Sequence, residues 1–462
     1  MGTFRNIITN LPEVAPPTQK RLPFKDKMKW TIISLALFFI LGAISLYGLD
    51  PSSELQFEQL QVLLGASFGS IISLGIGPIV TASIVLQLLT GAGIVNLDNK
   101  TPEGKVVYQG VQKLMAMAFI FFESIIYVFM GGLSPDPTRF AGAAYVQVQM
   151  LLIFQLILGG FMILFMDEVV QKWGIGSGVS LFIAAGVSQS LFVRLLSPVM
   201  TEGADIAVGA IPALVQSFIL QRTQDAVLNI ARIAATVAVF VMAVYAQAMK
   251  VEIPLSFGRV RGHGIRWPLN FIYTSNIPVI LVAALFANIQ LLARLFYNWG
   301  RPILGTFSQG VPQSGFVAWI VAPQLMESVL VGTVAPIQLA RAAFYVLLMM
   351  GGCVLFSFFW VQTSGMDAKS QAQQIMSSGL QIPGFRKDER VLERILERYI
   401  TPLTVMGAMT VGLLAALADL SGALANGTGL LLTVMIIYRF YEDIAKQHMM
   451  EMNPAMRKFM GG

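Results

Sequence analysis

Four apolar segments of this chain open on glycine, serine or asparagine, and they fall in two pairs with one member in each half. The run 75–89 (GIGPIVTASIVLQLL) has its counterpart in 275–291 (SNIPVILVAALFANIQL), and 174–189 (GIGSGVSLFIAAGVSQ) in 426–438 (NGTGLLLTVMIIY). Interrupted helices at matching places in two halves of a membrane protein mark an internal repeat, with the working site between the repeats. That pattern predicts a site near the middle of a bilayer.

Composition agrees with a membrane chain: 55% of residues are hydrophobic and 12% charged, with a mean hydropathy of +0.70. Soluble domains carry about twice that share of charge. The apolar runs are long and unbroken, unlike the alternating strands of a membrane barrel. With about 20 residues per span, the predicted spans are 30–49, 76–91, 106–130, 141–165, 177–196, 230–249, 271–296, 342–361, 401–424 and 428–445. The expected fold is all-α and polytopic. It divides into a polar N-terminal segment (1–29), a first half (30–196), a linker (197–229), a second half (230–445) and a tail (446–462).

An even span count puts both termini on one side. All but seven of the 31 lysines and arginines fall on the side of the N-terminus; the seven are Arg139, Arg194, Arg222, Arg232, Arg294, Arg301 and Arg341. Positive residues mark the cytoplasmic side, so both termini are expected there, with 1–29 retained ahead of a signal anchor. The net charge of +6 follows in part from this bias. Basic residues also gather in two loops on that side, 250–270 and 362–400, and such a surface suits an anionic lipid or a polyanion such as ribosomal RNA. The residues leave that choice open. The first loop, with Arg259, Arg261 and Arg266, reads as a projecting ribbon because of its prolines and glycines. In the second, 387–399 (KDERVLERILERY) places Val391, Leu392, Ile395 and Leu396 on one face of an amphipathic helix, preceded by Arg386 and Lys387 in a turn.

Catalytic and metal chemistry find little footing. Cys353 is the single cysteine, and His263 and His448 stand far apart, so neither a disulfide nor a metal site is expected. The glycine run at 174–178 follows no strand and precedes no lysine, unlike a phosphate loop. Ionisable residues inside spans are functional by default; Glu123 and Asp419 lie deepest, and Asp167, Glu168, Arg194 and Arg232 near span ends. Pairing with backbone or a neighbouring helix accounts for them equally well. A coupled transporter would need ionisable groups beside the breaks, and the four strings hold none.

The strings carry instead branched aliphatics just inside each opening: Ile76, Val80, Val179, Ile183, Ile280 and Leu432. Ile76 and Val80, like Val179 and Ile183, are spaced i, i+4 and face one direction. Converging at the midplane, such side chains would form a dewetting constriction. Ordinary helix packing produces the same spacing. The stretch 55–73 (LQFEQLQVLLGASFGSIIS) is too short and polar for a span, and reads either as a re-entrant segment or as an interfacial helix.

These strings, with PLTVMGA at 402–408 and GFRK at 384–387, closely resemble the SecY-type protein-conducting channels over nearly the whole chain; FANIQ at 286–290 and the leader 6–29 are similar to the archaeal and eukaryotic branch. The resemblance implies ten helices in two inverted halves of five around an hourglass path. It implies no cofactor and no enzymatic activity. It assigns Ile76, Val80, Val179, Ile183, Ile280 and Leu432 to a pore ring. A plug at about 55–70 would include Leu55, Phe57, Leu60, Leu63, Leu64 and Gly65. A lateral gate lies between spans two and seven, where Thr81, Gln87, Asn288 and Gln290 are polar. The docking surface for a ribosome or another motor would use Arg259, Arg261, Arg266, Arg386 and Lys387. Implied partners are small SecE-type and beta-type membrane subunits, a nascent chain with its signal sequence, and the bilayer of the plasma membrane. A secondary transporter with inverted repeats is the runner-up reading, and an integral-membrane enzyme using Asp167 and Glu168 the third.

Overall fold

The computed structural model describes residues 11–19, 22–50, 66–95, 102–200, 206–257, 264–308, 311–377, 380–381 and 389–452. Ten long helices follow one another: α1 (Phe24–Gly42), α2 (Gly77–Gly91), α3 (Pro102–Phe129), α4 (Ala143–Trp173), α5 (Gly178–Leu196), α6 (Thr223–Ala248), α7 (Ile277–Asn298), α8 (Pro336–Thr363), α9 (Glu389–Leu420) and α10 (Gly427–Met452). Seven of them are long and apolar enough to cross a membrane by length and composition. Of the other three, α1 and α10 carry clustered charges at one end and α2 has 15 residues. Prolines 78, 278 and 336 stand in the first turns of α2, α7 and α8, where a missing N–H breaks no helical bond.

Most helix ends lie up to eight residues from their expected bounds, and two of the differences have a visible cause. The first was expected at 30–49, but α1 ends at Gly42 because the chain beyond it pairs with the segment entering α2. Leu46 N donates to the Gly69 carbonyl at 2.7 Å and Ile71 N to the Ile44 carbonyl at 3.0 Å. Residues 387–399 and 401–424 were expected as an amphipathic helix followed by a span. From Glu389 to Leu420 they form one continuous helix of 32 residues, α9. Pro402 sits inside it, and the apolar face continues through Leu392, Leu396, Ile400 and Leu403, all buried.

On the face of the bundle where α6 ends and α7 begins, β1 (Lys250–Phe257) pairs antiparallel with β2 (Gly264–Asn270), Lys250 opposite Asn270 and Ser256 opposite Gly264. This is the ribbon expected from the sequence. The short strand Leu380–Gln381 adds to the other edge of β1, so the two basic loops are joined in one sheet. Beneath it a separate apolar core gathers Leu269, Tyr273, Val361, Ile375, Leu392 and Leu396. We refer to this side as the sheet face.

The N-terminal segment is clamped to the same side. Val14 N donates to Glu168 Oε2 at 2.9 Å, Lys172 Nζ to the Val14 carbonyl at 2.6 Å and Trp173 Nε1 to the Ala15 carbonyl at 2.9 Å. Lys113 pairs with Glu168 and donates to the Pro12 carbonyl. On the opposite face lie the 44–46/69–71 pairing, the helix Ala210–Ile219, the hairpin of Phe307–Ser308 with Val311–Pro312, and the α9–α10 turn. A cavity of about 720 Å³ opens there, bounded among others by Phe38, Ser67, Arg194, Arg232, Glu327 and Leu424. Arg232 and Glu327 approach to 3.7 Å across it. Nearby, Thr138 N and Oγ1 both donate to Asp136 Oδ1, which holds that carboxyl below its ordinary range.

The main core runs between the two faces, with Phe182, Phe356, Ile72 and Leu74 fully buried. The chain entering α2 lies so close to α4 that a side chain at Gly159 would collide with the Ile71 carbonyl.

Candidate functional site

The four broken openings come from both faces and are built in two ways. Gly75 ahead of α2 and Ser275 ahead of α7 both have positive φ, +53° and +59°. Each is followed by an N-cap residue in the right-handed region and a proline in the first turn. The conformation turns the chain sharply into the helix, and serine adopts it at a steric cost that glycine avoids. Arg439 Nη1 on α10 donates to Ser275 Oγ at 3.3 Å.

The openings of α5 and α10 are held by carboxylates. Val179 N donates to Asp167 Oδ1 on α4 at 2.9 Å, and Gln171 Nε2 to Oδ2 at 2.7 Å. Thr428 N donates to Asp419 Oδ1 on α9 at 2.6 Å, Tyr345 Oη to Oδ2 at 2.6 Å, and the Thr428 hydroxyl to Oδ2 as well. A carboxylate at a helix N-terminus satisfies orphan N–H donors and lies in the favourable field of the peptide dipoles. Asp167 and Glu168, candidates for enzymatic chemistry in the sequence, are thus occupied by a helix cap and by the N-terminal clamp.

Just inside these openings lie the six aliphatics, buried or partly buried. Ile76 is 1% exposed, Ile183 2%, Leu432 2%, Val80 4% and Ile280 8%. All five belong to the main core, and Val179 packs against it partly buried.

Between the halves, α2 meets α7. Asn288 Nδ2 donates to Thr81 Oγ1 at 2.9 Å across this seam. The Thr81 hydroxyl in turn donates to the Gly77 carbonyl at 2.8 Å, and the carboxyl of Glu123 on α3 lies beside it. Gln112 Nε2 ties α3 to Ser83 Oγ on α2 at 2.5 Å. Gln87 is 4% exposed, and its Oε1 has no protein partner. Gln290 is half-buried; two residues beyond Asn288, it lies about 200° round the helix and turns away from Thr81. Leu55, Phe57, Leu60, Leu63, Leu64 and Gly65 lie outside the described residues, as do Arg259, Arg261, Arg386 and Lys387. Arg266 is placed on β2 by its backbone. No group of acids, histidines or cysteines suited to a metal occurs among the described residues.

Residues 70–441 match the family model described as SecY, and residues 37–69 the model for the plug domain of Sec61p. The chain belongs to the SecY family. Among its relatives are the protein translocase subunit SecY of Methanothermobacter thermautotrophicus, 44% identical over 99% of this chain and 98% of that protein, and that of Pyrococcus furiosus, 42% identical over 97% of both. Among solved structures, a protein-conducting channel matches with a TM-score of 0.82 at 41% identity, covering 97% of this chain and 98% of the other. Sec61 from the canine ribosome–channel complex of the endoplasmic reticulum matches with 0.78 at 40%, with the same coverage. SecY-family chains are channel subunits rather than enzymes, and the ten helices found here accord with the solved channels.

Proposed function

We propose that this chain is the central pore-forming subunit of a channel that carries secretory polypeptides across the plasma membrane and releases apolar segments sideways into lipid. The observation that carries this reading is that four interrupted helices, two opening from each face, each carry branched aliphatics buried in one common core just inside their openings. In this reading Ile76, Val80, Val179, Ile183, Ile280 and Leu432 form the pore ring, and 55–70 is the plug. The α2–α7 seam is the lateral gate. The sheet face is cytoplasmic, with both termini, and its loops with Arg259, Arg261, Arg266, Arg386 and Lys387 dock a ribosome or another motor. Small SecE-type and beta-type subunits complete the complex.

The mechanism is physical. An aliphatic constriction excludes water and ions when empty yet yields to an extended chain. Sideways exit is a partition: leucine-like residues favour the membrane by a few tenths of a kcal/mol each, whereas a charge at the helix centre costs roughly 2.5–3.5 kcal/mol. Proton or sodium coupling loses support, because the acids beside the breaks, Asp167 and Asp419, are bound up as helix caps. A photo-crosslinker at Ile280, challenged in membranes with a ribosome-stalled secretory chain, tests the reading. Crosslinks that require the signal sequence are expected. Their absence, with the small subunits present and the complex folded, would return the aliphatics to mere packing.

A further inference from the structure

The clamp on the N-terminal segment is built to hold a backbone. Glu168 and Lys172 are spaced i, i+4 on α4 and share a face, Trp173 follows them, and Lys113 meets Glu168 from α3. Along residues 12–15, here called the strap, these four side chains take the Pro12 carbonyl, the Val14 N–H, the Val14 carbonyl and the Ala15 carbonyl in turn. All four bonds end on the strap's main chain. Glu168 gives one carboxylate oxygen to Lys113 and the other to Val14 N, so both contacts are charge-assisted. The Lys113 and Glu168 side chains are 11% and 14% exposed, whereas that of Glu13, which reaches Lys172 at 3.2 Å, is 62% exposed. An ion pair at such a rim contributes little. Pro12, Pro16 and Pro17 fix φ and lower the entropy lost when the strap is held.

This groove adjoins the opening of α5. Trp173 ends α4, and its ring lies 5.7 Å from that of Trp30 on α1. Ile175 N donates to Thr31 Oγ1 at 3.0 Å, and a side chain at Gly174 would collide with the same hydroxyl. Asp167, the cap of Val179, directly precedes Glu168. The strap, the start of α1 and the end of α4 therefore close together on the turn that leads to Val179 and Ile183.

We propose that Lys113, Glu168, Lys172 and Trp173 form a backbone-reading peptide groove whose ligand is the chain's own segment 12–15, and that the seated strap locks the α4–α5 turn and with it the resting seal at Val179 and Ile183. The proposal rests on the reading of the six aliphatics as a pore ring. A hydrophobic constriction gates by dewetting, so a small shift of α5 is enough to admit ions. The groove residues are positioning residues: they touch the strap and act on the seal through the turn.

The test uses the full complex with its small subunits in lipid vesicles. Val14→Pro removes the N–H that Glu168 accepts, and Trp173→Phe removes the indole donor while keeping a ring beside Trp30. Protease cleavage of the strap and deuterium uptake over 174–180 are expected to rise about tenfold in Val14→Pro, which loses a hydrogen bond to a charged group, and about fivefold in Trp173→Phe, which loses a neutral one. Leak of an imposed ion gradient through the resting channel should rise in the same order. Val14→Ala and Glu13→Gln should match wild type, since neither touches a main-chain group. A strap that stays protected in Val14→Pro, a released strap with unchanged uptake and leak, or equal effects of Val14→Ala and Val14→Pro would overturn the lock and leave the channel reading intact. Absence of the signal-dependent crosslink at Ile280 in the wild-type complex would instead remove the pore ring, and the lock's bearing on its seal with it.

Discussion

The α4–α5 and α9–α10 junctions perform one task with different parts. In each, an acid near the end of one helix caps the start of the next, and the capped helix begins with a glycine, Gly178 or Gly427, that leaves room for the acid's own backbone. The spacing differs, since Asp167 precedes Val179 by 12 residues and Asp419 precedes Thr428 by 9. The company differs too. The second oxygen of Asp167 takes its partner from the same helix, Gln171, whereas that of Asp419 reaches Tyr345 on α8 as well as Thr428 on α10. One carboxylate joins two helices and the other joins three. What the two halves repeat is the geometry of a capped, glycine-led opening; the residues that achieve it are free to differ.

The largest expected effect follows from that count. Asp419→Ala orphans more donors than Asp167→Ala, and at about 1–3 kcal/mol for each buried donor left unmade it should cost the greater stability. Thermal unfolding of the purified complex with its small subunits measures this, and equal losses at the two sites would break the comparison. The glycines come next. Alanine at either position overpacks the junction at about 1–3 kcal/mol, and Gly427→Ala should be the worse because its new methyl would meet the backbone of both Ala418 and Asp419. The smallest effect belongs to the seam. Asn288→Leu removes a single interhelical bond, worth on average about 0.6 kcal/mol, so the melting temperature should barely move while weak signals gain about threefold in export. A fall in stability with an unchanged signal threshold would make Thr81–Asn288 another fixed joint, like the two caps.

Much of the architecture could be read from the chain. Four glycine- or proline-marked openings and ten apolar runs anticipate the helices, and the glycine- and proline-rich 250–270 loop anticipates the ribbon. The misreadings share a cause. The end of α1 was placed too late because 43–49 is apolar enough to continue a span; only its pairing with 69–71 stops the helix. α9 was divided because its charged first turns and apolar remainder look like two elements, yet the buried stripe from Leu392 to Leu403 is continuous. Glu123 was visible as an acid in an apolar span, but its neighbour Thr81 lies on another helix.

The sequence by itself determined the class of the molecule and the places where its helices must break. In a bilayer every backbone group has to be satisfied within the protein, and that demand is written in apolar length, glycine and proline. Only the tertiary structure decided which polar side chains serve as caps, which meet across the seam, and that two loops far apart in sequence share one sheet. Those pairings depend on how the helices rotate and lean against one another, and a single helix of side chains carries no record of its neighbours' angle.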